Sequence, residues 1–92
     1  MNTLPYQPHS ATSKAAAFMA EPRAGTAKAR VLEVIRRAFH AGMTDEEIQA
    51  CGIVANTQRP RRVELVRAGL VRDSGRTRKT ASGAESVVWV AV

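Results

Sequence analysis

The chain has 92 residues, with fourteen Lys or Arg against eight Asp or Glu, a formal net charge of +6 and 45% apolar residues. That length holds one small domain with a tail, which excludes a multidomain assembly and most enzymes built around a deep pocket. No apolar run of about 18 residues crosses a membrane, no basic and apolar leader marks secretion, the lone Cys51 makes no internal disulfide, and no Cys/His cluster suits a metal, so a cytoplasmic protein without cofactor is expected.

Residues 1–24 read as a flexible tail: Pro5 and Pro8 lie among small and polar residues, and Ser13 can cap a short helix near 13–20 anchored by Phe18 and Met19. Pro22 and Gly25 break the chain before a domain over 25–92. Thr26 is then the expected N-cap of a helix running to Gly42, with Val31, Leu32, Ile35, Ala38 and Phe39 on one apolar stripe. His40 falls in its last turn, where the helix dipole favours a cation, and Gly42 suits a left-handed terminus. Thr44 and Glu47 have the spacing of a capping box for a short helix with Ile48 and Cys51 on its apolar face, Cys51 as a small buried hydrophobe. Adjacent carboxylates at Asp45 and Glu46 are explained by the helix dipole rather than by catalysis.

After a turn at Ile53 and Val54, Asn56 or Thr57 is the expected cap of a basic helix ending at Gly69, with Pro60 at its third or fourth position. Helical spacing puts Ala55, Gln58, Arg59, Arg62, Leu65 and Val66 inward and Asn56, Thr57, Pro60, Arg61 and Glu64 outward. Arg62 on the inner side either reaches a carboxylate such as Glu46 or Glu47 or contacts phosphate. Beyond Gly69 the period drops to about 2. A strand starts at Leu70, Gly75 allows a bulge, Arg76–Thr80 form a polar basic arm, Ala81–Ala84 turn, and Ser86–Val92 make a closing strand. That strand is apolar on both faces, so one face needs a cover, from the N-terminal helix or a second subunit.

Eight of the fourteen cations, Arg59, Arg61, Arg62, Arg67, Arg72, Arg76, Arg78 and Lys79, fall between Asn56 and Thr80, opposed there only by Glu64 and Asp73. This stretch holds the entire net charge. Such a concentrated field points to a polyanionic partner, nucleic acid first, although on charge alone a solvated surface serves as well.

The order of helix, short helix, turn, basic helix and hairpin resembles a winged helix-turn-helix. Its specific signature is T-D-E-E-I at Thr44–Ile48 followed by P-R-R-V-E-L-V-R-A-G-L-V at Pro60–Val71, and the Leu65…Gly69-Leu70-Val71 ending looks like the end of the recognition helix running into the wing in MarR-type domains. The tail S-G-R-T-R-K-T-A-S-G-A-E-S-V-V-W-V is similar to small phage and prophage proteins of this class. The chain lacks the C-terminal dimerisation helices of MarR-type proteins, so their dimer mode and ligand response do not carry over. The resemblance implies an α+β fold with a three-helix core and a C-terminal wing, in a bacterial host's interior, binding double-stranded DNA as a transcriptional regulator or replication accessory.

Residues Asn56, Thr57, Gln58, Arg59 and Arg61 would then lie near DNA, with Arg61 the best candidate for a base contact. Arg62 is the ambiguous case. Arg76, Arg78 and Lys79 would meet backbone or minor groove, with Ser74 and Thr80 adding hydrogen bonds. A homodimer on a palindromic site is the default assembly, because one small helix reads few bases. A protein-interaction winged helix docking on a host complex is the competing reading. RNA binding is disfavoured because no aromatic residue lies in the basic stretch. An enzyme is not expected, since no acid pair, Ser/His/Asp set or phosphate-binding Gly loop is present.

Overall fold

The computed structural model describes residues 21–92, so the short helix expected near 13–20 lies outside the described residues. The fold is α+β. Three helices, α1 (Ala27–Arg37), α2 (Asp45–Ala50) and α3 (Ala55–Arg67), precede two antiparallel strands, β1 (Val71–Lys79) and β2 (Glu85–Ala91), and a short 3-10 turn spans Phe39–Ala41. Val31, Leu32 and Ile35 of α1 meet Ile48 of α2, Ile53, Leu65 of α3 and Leu70–Val71 in one buried core, with Trp89 and Ala91 packed against it.

Thr26 caps α1 as expected, its hydroxyl accepting from the Ala29 N–H at 3.2 Å. The helix ends at Arg37, however, and does not run to Gly42. Phe39, expected on the apolar stripe, is 77% exposed and takes a left-handed φ of +51°. The cause is long-range. Met43 pairs with Trp89 through two backbone hydrogen bonds of 2.9 and 2.8 Å, a one-residue β-bridge on the edge of the hairpin. Gly42 (φ +66°) lies flat on β2, where a Cβ would come within 2.5 Å of Val88 Cγ1 and 2.7 Å of the Trp89 carbonyl. Pinning the chain there pulls it off the α1 axis, and tertiary pairing overrides the local helical period.

The capping box of α2 is formed: Thr44 Oγ1 accepts from Glu47 N at 3.1 Å, and Glu47 Oε1 accepts from Thr44 N at 3.0 Å. Cys51 is exposed at the end of α2 rather than buried. The six-residue helix has one inward position, which Ile48 fills. Helix α3 starts earlier than expected. Val54 is its N-cap without a side-chain bond, so Asn56 and Thr57 lie inside the first turn and Pro60 is the sixth helical residue. The proline has no N–H for the Asn56 carbonyl and shares that residue's exposed side, where water can serve the carbonyl. At the other end Leu70 N bonds Leu65 O and Gly69 N bonds Val66 O, each at 3.0 Å, the paired closure of a glycine-terminated helix.

The hairpin pairs Asp73 with Trp89 and Thr77 with Val87, so β1 carries two extra residues between these pairs. Gly75 (φ +84°) makes the expected bulge. Its N–H donates to Asp73 Oδ1 at 2.8 Å, and the Arg76 N–H donates to Ser74 Oγ at 3.1 Å. Trp89 and Ala91 face the helices, whereas Val88 and Val90 are buried on the opposite face. No second subunit is needed as cover there: the Gly42 segment lies against both valines, and the bulged arm is tied over the same face by Arg76 donating to the His40 carbonyl and Arg78 to the Ala41 carbonyl.

Candidate nucleic-acid interface

Helix α3 sorts its polar side chains by face. Gln58, expected to touch DNA, is fully buried instead. It accepts from Gln49 Nε2 at 2.9 Å and donates to Asp45 Oδ1 at 2.8 Å, so both ends of its amide are satisfied inside the fold. One turn further, Arg62 grips Asp45 with both arms (Nε–Oδ1 3.0 Å, Nη2–Oδ2 2.7 Å) and lies 4.1 Å above the Trp89 ring centroid. The inward placement of Arg62 was legible, but its partner is Asp45, not Glu46 or Glu47. Burial raises the Asp45 carboxyl, but hydrogen bonds from Arg62 and Gln58 and the charges of Arg62 and Arg59 outweigh it and hold it below the usual carboxylate range.

Arg61, the expected base reader, does not face outward. It lies half-buried on the flank toward α1, pairs with Glu64 at 2.7 Å, and shares that carboxylate with Lys28 at 3.3 Å. Thr57 shares this flank by its i, i+4, i+7 relation to Arg61 and Glu64. Arg78 is also committed to the fold, donating to Glu47 at 2.6 and 2.8 Å and to Ala41. Burial raises the Glu47 carboxyl, but Arg78 and the Thr44 cap together bring it below its ordinary value.

Five cations of the basic stretch remain without a carboxylate partner among the described residues: Arg59, Arg67, Arg72, Arg76 and Lys79. The outer side of α3 is Asn56, Arg59, Pro60, Val63 and Arg67, related by i, i+3, i+4, i+7 and i+11. Placing Arg59 inward was therefore incorrect. Val63 and Arg67 were missed, although the same spacing, started from Asn56, reaches them. Arg59 borders a concave surface of mixed charge, completed by Asp45, Glu46 and Gln49 of α2 and by Thr80, Ser82, Glu85 and Ser86 of the hairpin. Lys79 is exposed at the start of that turn, opposite Glu85. The Thr80 and Ser82 hydroxyls bond each other at 2.9 Å, and Ser74 is occupied in the bulge.

Arg72 and Arg76 do not join this surface. They line a separate cleft with Arg36, Phe39, Val90 and Val92. The basic run of the sequence is thus divided by the fold between two surfaces. Among the described residues no helix is long and apolar enough to cross a membrane, and no group of three or more His, Cys, Asp or Glu is placed to hold a metal ion. No family profile, curated protein or solved structure matches this chain.

Proposed function

We propose that the chain binds double-stranded DNA in the manner of a winged helix-turn-helix, with α3 in the major groove and the hairpin as its wing. One observation carries this reading. On α3 the inward and flanking arginines, Arg62 and Arg61, are paired with carboxylates, whereas Arg59 and Arg67 on the outer side have none among the described residues. The outer side also has the right chemistry: Arg59 and Arg67 for guanine edges or phosphate, Asn56 for adenine, and Val63 for a thymine methyl. Lys79 and Thr80 at the hairpin turn reach the backbone beside Arg59. The role as regulator or replication accessory in a bacterial cytoplasm, and a homodimer on a palindromic site, follow from the resemblance and from the small number of bases one helix reads.

Selection of bound sequences from random duplex DNA tests the proposal. Enrichment of a short motif is expected. Arg59→Ala and Arg67→Ala should weaken binding, and Gln58 should leave no base preference of its own. Log K against log salt should fall by about 0.9 per phosphate contact. A flat salt response with no enriched motif would refute DNA as the partner. The exposed Phe39 and Val92 beside Arg72 and Arg76 favour a second reading, docking of a host protein at that cleft. Co-purification that survives nuclease and is lost in Phe39→Ala would support it.

A further inference from the structure

We infer that the cleft between the start of α1 and the adjoining flank of α3 binds a phosphate, and that this phosphate belongs to the duplex backbone alongside α3; the second part rests on the DNA-binding reading above. Three cations, Arg23, Lys28 and Arg61, line this cleft with a single carboxylate, Glu64. Lys28 Nζ and Arg61 Nη2 stand 3.3 and 2.7 Å from its two oxygens. Arg23 has no carboxylate partner among the described residues. One acid against three cations leaves an excess of two positive charges in a small concavity.

The cleft is held in shape from both sides. The Arg23 carbonyl accepts from the Thr26 N–H at 3.3 Å and from its hydroxyl at 2.7 Å, which fixes the turn carrying Arg23 against the first turn of α1. On the α3 side, Arg61 Nε is buried and has no hydrogen-bond partner among the described residues. A desolvated guanidinium N–H without an acceptor is unfavourable, and an anion drawing Arg61 toward the cleft mouth would relieve it.

Helix dimensions identify the source of the phosphate. A helix with its side chains is about 10–12 Å across, and the major groove is about 12 Å wide. A helix seated in the groove therefore has a phosphate strand along each flank. One flank of α3 faces α2 and the hairpin turn, where Arg59 and Lys79 lie. The opposite flank carries Thr57, Arg61 and Glu64, and the cleft opens there.

The test uses the full chain, a random-sequence 20-bp duplex and inorganic phosphate as probes. Arg23→Gln combined with Lys28→Gln should reduce the slope of log K against log salt by about 0.9 or more relative to the unaltered chain. Arg30→Gln, which removes an exposed cation outside the cleft, should leave the slope unchanged. Inorganic phosphate should shift the amide resonances of Ala27, Lys28 and Arg61 before others, and the double variant should lose that response. Duplex binding with an unchanged slope in the double variant would overturn the backbone contact while leaving the DNA reading intact. If the chain ignores duplex but phosphate still moves those amides, the DNA reading fails and the phosphate site stands. If neither probe acts, both fall.

Discussion

Removing the Asp45 carboxylate is the sharpest test of the packing behind α3. In Asp45→Ala the Arg62 guanidinium, whose side chain is 16% exposed, loses its anion, and the fully buried Gln58 amide loses an acceptor. Breaking a buried pair from one side costs about 3–5 kcal/mol, because a charge stays behind uncompensated. Arg62 keeps its place over Trp89, and its residual exposure admits water, so the lower end, about 3 kcal/mol, is expected. Against a stability of about 4–11 kcal/mol for a domain of about 70 residues, that is a large share. Urea denaturation followed by fluorescence of Trp89, the one tryptophan of the chain, gives the midpoint, with helix content by circular dichroism as a second probe. With a slope of about 1 kcal/mol per molar, the midpoint should fall by about 3 M. The double variant Asp45→Ala/Arg62→Met should recover most of the loss, since no buried charge remains. A loss below about 1 kcal/mol in Asp45→Ala would match a solvated surface pair and refute the reasoning, as would a double variant as unstable as the two single changes together.

Three further outcomes follow from individual contacts. Asp45 and Glu47 are held below their ordinary carboxyl values in the folded state, so their contribution is present above about pH 4 and is lost as the pH falls through the folded values. Acid unfolding should therefore be shallower in Asp45→Asn/Glu47→Gln than in the unaltered chain, and equal profiles would count against it. Gly42→Ala places a Cβ 2.5 Å from Val88 Cγ1 at a positive φ, so a loss of about 3 kcal/mol and a melting temperature lower by roughly 12 °C or more are expected by calorimetry. Phe39→Gly should instead stabilise by about 0.5–1 kcal/mol, since relief of left-handed strain exceeds the entropy cost of glycine and little packing is lost; a lower denaturation midpoint would show that Phe39 packs in solution.

Features set by neighbours in sequence were legible before the structure: the Thr26 cap, the Thr44–Glu47 box, the Gly69 terminus and the bulge at Gly75. Features set by partners far along the chain were not. Phe39 fits the apolar stripe of α1, and only the Met43–Trp89 pairing, 46 residues apart, reveals why the helix stops short. Gln58 looks like a base reader because it is polar and near a helix start. Its burial depends on Gln49 and Asp45 of the preceding helix, although its position seven residues before Leu65 placed it on the core side. The carboxylates of α2 were seen as a group, but their assignment was not: Asp45 takes Arg62 and Glu47 takes Arg78. Arg61 was misjudged because an isolated helix shows which residues share a side but not which side α1 will cover. Arg59 and Arg67 emerge as the arginines of α3 without a carboxylate partner among the described residues only after those pairings are known.

The link between Met43 and Trp89 also sets an order of events in folding. The residues of all three helices are synthesised before Trp89, yet until it is in place the segment joining α1 to α2 has no backbone partner and Gly42 has no surface to lie on. Helices form locally and fast, whereas closing a contact across half the chain is slow. Strand β2 therefore arrives after the helices and locks them in place. Deleting its seven residues would do more than remove one arm of the hairpin: it would free the α1–α2 connection and release α3 from the frame that orients it.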